Sequence, residues 1–452
     1  MIQKQFKKLI GLKKEEFDSF IKTKQIKVQP ARLIPTLKTG DEMALTSIFL
    51  STIKLVKEYR DVFFKEIKFP KGGKLYYFTE VSFPEIHNSR IDGLILVIKK
   101  GVISDAVFFE MKNKNNNLDK NQIEAYLNIS KQIGVTKLIT VSNEFVSEPT
   151  QSPVKVKPPK SISLYHFSWT YLITQGRLLL FQNDENIEDQ DQVEIMRESL
   201  FYLENPISGV SGYTQMKAGW KELADNIRVQ KPLSISDEYI EDAILSWYEE
   251  EKDMALLLSR KLGVEVKTSK KNKDSLKNDI KKIVKENYVN GGLLIKNAVS
   301  DVKITAEFER RTVQMAIKIT PPLDKGTKAR ITWLGKQLEN CKKKGEEAFI
   351  GLQDNIWVEA DVKFAKDNLK IKLTELGSLF DLAAGREIQG FHIVLHKGFS
   401  AGFASNKKFI VLIEQMILDY YEGIIQYMTN WKRPAPKLDH SSNISEDDLT
   451  NY

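Results

Sequence analysis

The sequence predicts an α/β protein with a mixed-sheet core at the N-terminus, a helical connector and a second α+β domain at the C-terminus. Residues 1–204 alternate helical and strand patterns, 205–289 are mostly helical in pattern, and 290–432 return to strands interrupted by two well-marked helices. A chain of 452 residues with 42% hydrophobic content can bury two or three such cores. Residues 433–452 have almost no apolar content, which predicts a disordered tail.

The N-terminal domain is predicted to begin with one or two short polar helices. A long amphipathic helix over 40–67 follows, with Asp41 as its N-cap. A second helix over 117–134 ends at Gly134. The strands predicted from aromatic and β-branched content are 74–83, 90–98, 102–112, 136–143 and 161–169. The second and third of these strands are joined by the short basic turn KKG, which predicts a β-hairpin.

In the remainder of the chain, helix 236–263 is the clearest element of the connector, and a lysine-rich stretch follows it. Beyond residue 290, helices are predicted over 326–345 and 405–432. Strands are predicted within 292–322, near 347–351, and over 356–364, 368–373 and 388–398. Because residues 290–432 contain enough large apolar side chains for a core of their own, we expect them to fold as a separate domain. We expect this domain to bind and select a substrate or a partner. The large apolar side chains include Trp333, Phe349, Trp357, Phe391 and Phe409.

Composition narrows the chemistry that this chain can carry. The single cysteine, Cys341, excludes a disulfide framework and a thiolate zinc cluster, and it is typical of a cytoplasmic protein. The five scattered histidines include no pair at zinc-ligand spacing. The N-terminus is charged and amphipathic, so neither a signal peptide nor a membrane segment is expected. A net charge of +8 favours a polyanionic partner such as DNA, with RNA as an alternative.

The segment AVFFEMKNKN, residues 106–115, is the most informative stretch of the sequence. Four apolar residues lead to Glu110, and Lys112 lies on the same face of an extended strand. If the residue numbers of paired positions add to 200 or 202, Asp92 on the preceding strand faces Phe108 or Glu110, and Asp92, Glu110 and Lys112 share one face. An odd sum would send Glu110 to the opposite face, and no site would form. An even register therefore predicts two carboxylates and an amine at one end of a covered hairpin.

A plainer interpretation is a strand that runs into a polar turn. Glu-x-Lys is frequent in a chain that is 28% charged, and 66–68 and 265–267 also match it. Those two copies have neither a four-residue apolar lead-in nor an acid on a preceding paired strand, so we interpret them as surface residues. The helix after the hairpin favours a site at 110–112, because Gln122 and Tyr126 are four positions apart and share one helical face.

Taken together, Asp92, the EMK segment and the QIEAY segment resemble the PD-(D/E)XK nuclease superfamily. The Gln-x-x-x-Tyr helix is similar to that of the RecB and lambda-exonuclease-like branch. The resemblance covers about residues 40–180, with Ile91 in place of the family's proline. It implies a restriction-endonuclease-like core, dependence on Mg²⁺ or Mn²⁺, and hydrolysis of phosphodiester bonds, with restriction, repair or phage defence as the setting.

The resemblance also implies roles for individual residues. Asp92 and Glu110 would bind the metal, with the backbone carbonyl of Met111 as a further ligand. Lys112 would position or deprotonate the attacking water and stabilise the charged phosphorane. Gln122 and Tyr126 would orient the site or contact the scissile strand.

Two further acids have open roles. Glu42 matches an acidic residue that many members carry on the first helix, and it is equally explained by a favourable interaction with the helix dipole. Glu80, on the strand before the hairpin, is a weaker candidate for the site, and the preferred interpretation is structural. At the level of the whole protein, a catalytically silent nucleic-acid-binding module is one alternative function. The other is an effector nuclease gated by a ligand or a protein that residues 290–432 sense. Residues 290–432 are also the expected surface for a protein partner or for a homo-oligomer.

Overall fold

The computed structural model describes residues 6–30, 40–70, 72–114, 116–146, 148–181, 186–269, 271 and 274–433. The chain divides into two compact units. The first consists of Met1–Lys296, Val302–Met315 and Lys397–Leu418, and the second of Asn297–Asp301, Ala316–His396 and Asp419–Tyr452. Within the described residues, no helix is both long enough and apolar enough to cross a bilayer.

The first unit contains a six-stranded mixed sheet in which the strands follow one another in chain order. Its strands are β1 Lys27–Pro30, β2 Lys74–Phe83, β3 His87–Lys99, β4 Val102–Met111, β5 Lys137–Ser142 and β6 Ser163–Ser168. Strands β1 to β4 are antiparallel neighbours, whereas β4, β5 and β6 are parallel. The carboxyl ends of β4, β5 and β6 therefore lie along one edge of the sheet.

Helices cover this sheet on both faces. They are α1 Lys14–Lys22, α2 Glu42–Leu55, α3 Lys57–Glu66, α4 Lys120–Ile133, α5 Trp169–Leu180 and α6 Gln190–Glu204. Neighbouring residues of β4 belong to different cores, because Phe108 packs in one buried cluster with Tyr126 and Phe109 in another with Trp169. The hairpin is thus covered on both sides, as its apolar pattern predicts.

The rest of the first unit contains further helices and a second set of strands. The helices are α7 Ala218–Arg228, α8 Glu238–Leu262 and α9 Ser275–Glu286. The strands β7 Val266–Thr268, β8 Tyr288–Ile295 and β9 Val302–Glu307 are antiparallel neighbours. Strand β10, Thr312–Ile319, belongs to this unit up to Met315.

The second unit contains α10 Thr327–Lys344, α11 Glu346–Leu352 and α12 Leu379–Leu382. Its strand β11, Ile356–Val362, pairs in antiparallel fashion with both β12, Leu369–Lys372, and β13, Ile388–Gly398. The last helix, α13 Asn406–Gly423, belongs to the first unit up to Leu418.

Three predicted elements differ from the structure. The helix predicted over 405–432 ends at Gly423. The strand predicted near 347–351 is wrong, because these residues form α11 with Glu346 and Glu347 in its first turn. A short apolar run does not by itself distinguish a strand from a buried helix, and acidic residues favour a helix N-terminus. The helix predicted over 40–67 is interrupted at Val56, whose extended backbone separates α2 from α3.

The compact units also differ from the predicted domain segments. Both predicted boundaries, after 204 and after 289, fall inside the first unit, and residues 290–432 contribute to both units. Independent folding of 1–204 and of 290–432 stays a prediction. Apart from Arg433, the predicted disordered tail 433–452 lies outside the described residues.

Candidate active site

In the β3–β4 hairpin, the numbers of paired residues add to an even sum along the part of the strands next to Asp92. Gly93 pairs with Phe109 and Leu94 with Phe108, so that paired residue numbers add to 202. The register changes only beyond Val97, next to the turn. Extending the even register by one position places Asp92 opposite Glu110 at the open end of the hairpin. The predicted register is confirmed.

Asp92, Glu110 and Lys112 meet at this end of the hairpin. The Lys112 amine lies 2.6 Å from Oε1 of Glu110. The backbone N–H of Met111 donates a hydrogen bond of 2.8 Å to Oδ2 of Asp92. Glu110 is completely buried, and the side chain of Lys112 is 16% exposed. The local geometry expected from the hairpin is therefore present, and Met111 adjoins Asp92 through its backbone.

The two carboxylates are held in an environment that disfavours their charge. The pKa of Glu110 is raised to about 8, mainly by burial and also by the nearby charge of Asp92, while Lys112 opposes the shift. Burial likewise raises the pKa of Asp92, although the hydrogen bond from Met111 opposes it. Burial alone would lower the pKa of Lys112, but the negative charges of Glu110 and Asp92 raise it above its ordinary value. This lysine is therefore an ammonium ion at neutral pH.

The site has more carboxyl groups than amines. Neither oxygen of Glu110 accepts a hydrogen bond of acceptable geometry from the described residues, although the Lys112 amine is close enough to form an ion pair. A buried carboxylate without hydrogen bonds is costly unless a cation compensates it. No group of three or more His, Cys, Asp and Glu side chains in the described part of the chain is arranged to hold a metal. Two carboxylates with a backbone oxygen still suit Mg²⁺, which keeps several of its waters.

Helix α4 presents Gln122 and Tyr126 to the hairpin. Its N-terminus is capped by Asp119, whose side chain accepts from the N–H of Gln122, and it ends at Gly134 in a left-handed conformation. Nε2 of Gln122 donates to the Tyr126 hydroxyl at 2.8 Å, and that hydroxyl donates to the carbonyl of Arg90 at 2.6 Å. The buried tyrosine thus ties the helix to β3 two residues before Asp92.

The same tyrosine lies within the electric field of the carboxylates. Burial raises the pKa of Tyr126, and the charges of Glu110 and Asp92 raise it further. Gln122 is hydrogen-bonded to Tyr126, and it is linked to the acids through this tyrosine. The structure therefore brings the predicted helix residues to the site as a support for β3.

Glu42 is turned toward the site from the first turn of α2. Its Oε2 lies 3.6 Å from the Lys112 amine, and its Oε1 accepts a hydrogen bond of 2.6 Å from Asn116. Asp41 caps the helix by accepting from the N–H of Met43. Glu42 consequently has both of the features considered from the sequence, a place at the helix N-terminus and a contact with the site lysine.

Glu80 belongs to the site more closely than the sequence indicated. The pairs Thr79–Gly93 and Val81–Ile91 flank it, so it lies opposite Asp92 in the β2–β3 register. One of its oxygens is 2.7 Å from Arg90, and the other is buried without a hydrogen bond from the described residues.

Glu80 also lies close enough to Asp92 to sense its charge. Burial raises the pKa of Glu80, Arg90 lowers it, and the charge of Asp92 raises it. The signal available in the sequence was an acid in the middle of an otherwise aromatic and β-branched strand.

Trp169 is a second residue whose role the sequence did not indicate. It is fully buried, and its indole N–H donates a hydrogen bond of 2.8 Å to the carbonyl of Lys112. The backbone N–H of Lys112 donates to the carbonyl of Val141 at 2.8 Å. Lys112 is therefore fixed by its backbone on both sides just after β4 ends, which limits the positions that its amine can reach.

The chain matches no protein-family model, no curated protein and no solved structure.

Proposed function

We propose that this protein is a nuclease that depends on Mg²⁺ or Mn²⁺ and hydrolyses phosphodiester bonds of DNA. The observation that carries the proposal is the pair of carboxylates, half-buried Asp92 and fully buried Glu110, with the Lys112 ammonium 2.6 Å from Glu110. Buried acids with raised pKa values beside one cation are typical of functional sites. A strand pair that is apolar on both faces has no structural need for them.

The donor set fits a hard divalent cation. Asp92, Glu110 and the backbone carbonyl of Met111 would hold it, and Glu42 lies close enough to Lys112 to join the same network. A bound divalent ion supplies a water of lowered pKa and polarises a phosphoryl oxygen. The ion would also compensate the buried Glu110 oxygens that accept no hydrogen bond from the described residues.

Lys112 acts as a cation in this proposal and not as a base. Its pKa is raised by Glu110 and Asp92, so it stays protonated near neutral pH and does not take a proton from water. An ammonium ion fixed beside the reacting phosphate stabilises the negative charge that grows in the transition state. Tyr126 and Gln122 keep β3 in the position that presents Asp92.

We further propose that β2 to β6, with α2 and α4, form a restriction-endonuclease-like core. The antiparallel β2–β3–β4 meander followed by parallel β5 and β6 supports this assignment. The net charge of +8 supports a nucleic-acid substrate, and the single buried cysteine suits a cytoplasmic setting.

Incubation of the purified protein with circular and linear duplex DNA, and with RNA, in Mg²⁺ or in EDTA tests the proposal. We expect cleavage of DNA in Mg²⁺ and none in EDTA. Lys112→Ala should lower kcat by about 10²- to 10³-fold, the size of effect seen when one group that stabilises transition-state charge is removed. The control is Lys54→Ala, which removes an exposed lysine at the far end of α2. Full activity of Lys112→Ala, or equal cleavage in EDTA, would contradict the proposal.

A further inference from the structure

A polar groove lies at the edge of the sheet where β4 and β5 end. It has a volume of about 540 Å³, and three lysines line it: Lys114 just after β4, Lys217 before α7, and Lys407 in the first turn of α13. Asn117 and Asn143 line it as well. All of these residues belong to the first compact unit. In sheets with parallel strands, ligands bind at the carboxyl ends of the strands.

The groove and the carboxylate site share one loop. This loop leaves β4 through Lys112, and its residue Asn116 donates to Glu42 in the site. Two other residues of the same loop, Lys114 and Asn117, line the groove. Residues of one short loop therefore contribute to both the carboxylate site and the groove.

Hydrogen bonds hold the walls of the groove in place. Asn143 donates from Nδ2 to the carbonyl of Lys114 at 3.0 Å and to that of Gly209 at 2.9 Å. Its Oδ1 accepts from the N–H of Ser211 at 3.0 Å. On the other side, the N–H of Met216 donates to the carbonyl of Asn406 at 2.9 Å, which fixes the start of α13. The lysines are therefore carried by backbone with defined positions.

Positive charge in the groove is only partly neutralised. Lys217 forms an ion pair of 2.6 Å with Glu249. Glu144 accepts from the N–H of Leu118 and the hydroxyl of Ser142, so it serves the local structure. Within the described part of the chain, neither Lys114 nor Lys407 forms an ion pair, and both are exposed. Two lysines are thus available to an anionic ligand.

The lining indicates a ligand rich in anionic oxygens. Besides the lysines, it consists largely of amide, hydroxyl and backbone groups, including Ser211, Thr214 and Gln215. Small-molecule pockets are mostly apolar, whereas surfaces that follow a nucleic-acid backbone combine lysines with hydroxyl and amide donors.

We propose that this groove binds the sugar–phosphate backbone of the nucleic-acid strand next to the scissile phosphate, through Lys114 and Lys407. The proposal rests on the nuclease function proposed above and adds residues from outside the predicted nuclease domain. Each lysine replaces a counterion on a phosphate, so binding should weaken as salt concentration rises. Base edges make no contribution to this contact, so we expect it to be independent of sequence.

The test is a binding measurement by fluorescence anisotropy with labelled single-stranded and duplex DNA over a range of salt concentrations. EDTA is present, so the result does not depend on cleavage. The variants are Lys114→Ala/Lys407→Ala and a control with the same charge change, Lys54→Ala/Lys65→Ala. Lys54 lies twelve residues after Glu42 on α2, about 18 Å along the helix axis.

We expect the groove variant to bind roughly tenfold more weakly at about 0.1 M salt, with a salt slope reduced by about 1.4–1.8 for two lost phosphate contacts. The control should bind as the wild type does. Equal affinity and equal slope for the wild type and the groove variant would overturn the proposal. So would an absence of DNA binding by the wild type, or a groove that binds free mononucleotides and not DNA. Failure of the nuclease function alone would instead appear as binding without cleavage in Mg²⁺.

Discussion

Replacement of Glu110 by glutamine tests the electrostatics of the site without relying on catalysis. Glutamine has nearly the same shape, but it cannot carry the negative charge that burial opposes. Because the folded-state pKa lies above the ordinary value, the folded protein keeps a proton that the unfolded chain has already released. Between pH 4.5 and about 8, Glu110 is therefore protonated in the folded protein and ionised in the unfolded chain. The free energy of unfolding of the wild type therefore falls as the pH rises through this window.

The size of the effect follows from the pKa shift. At about 1.4 kcal/mol per pKa unit, a rise from 4.5 to about 8 costs the folded state on the order of 4 kcal/mol at pH 8. Because that shift already includes the attraction of Lys112, the variant avoids the whole cost, and we expect a pH-dependent gain on the order of 4 kcal/mol by pH 8. In a unit of this size that gain raises the melting temperature by roughly 3–8 °C.

The assay is thermal unfolding of the wild type and of Glu110→Gln in EDTA between pH 5 and pH 9, repeated with Mg²⁺. The difference in stability should be smallest at pH 5, should grow up to about pH 8 and should level off above it. Mg²⁺ should stabilise the wild type at pH 8, by about 2.7 kcal/mol when its concentration is 100 times the dissociation constant. It should have little effect on the variant, which lacks one ligand.

The control is Glu66→Gln, which removes an exposed glutamate near the end of α3 and should leave both the pH dependence and the response to Mg²⁺ unchanged. Parallel pH curves for the wild type and Glu110→Gln would refute the description of Glu110 as a buried carboxylate with a raised pKa. An equal response of both proteins to Mg²⁺ would refute its role as a metal ligand.

Two further predictions concern residues that support the site. Tyr126→Phe removes the hydrogen bond to the Arg90 carbonyl, so it should cost about 1–2 kcal/mol in urea unfolding and lower kcat more than it changes KM. An unchanged kcat would contradict a positioning role. Glu80→Gln removes a buried charge that lies opposite Asp92, so titration of the melting temperature with Mg²⁺ should give a changed apparent affinity. Identical titration curves for variant and wild type would show that Glu80 does not influence metal binding.

The geometry of the hairpin was predictable because it depends only on the two-residue repeat of a β-strand and on the register between two neighbouring strands. A strand repeats every two residues, so Glu110 and Lys112 must share a face, and one even register places Asp92 with them. A helix brings positions i and i+4 together, which fixed the contact between Gln122 and Tyr126. These relations are local or involve a single turn, and they do not depend on the packing of distant segments.

Other parts of the site depend on contacts between segments far apart in the chain. The carbonyl of Lys112 is bound by Trp169, and the side chain of Asn113 bonds to the carbonyls of Gly40 and Ser208. No periodicity relates such positions. The groove is the clearest case, since Lys407 is nearly 300 residues from Lys114 and reaches it only through the packing of the first unit. Sequence patterns therefore predict which side chains lie together on one helix or hairpin better than they predict which side chains line one cavity.

The backbone of Glu80 adds a separate argument about the site. Its φ is +53°, a left-handed conformation that costs a residue with a Cβ roughly 1–2 kcal/mol. Such strain persists where the surrounding structure imposes it, and it is concentrated at functional sites. Here the strained residue lies opposite Asp92 and pairs with Arg90, whose carbonyl is bound by Tyr126. Glycine would relieve the strain at position 80 but would remove a carboxylate from the field of Asp92. The strained backbone of Glu80 thus lies next to the same carboxylates whose raised pKa values support the proposed nuclease site.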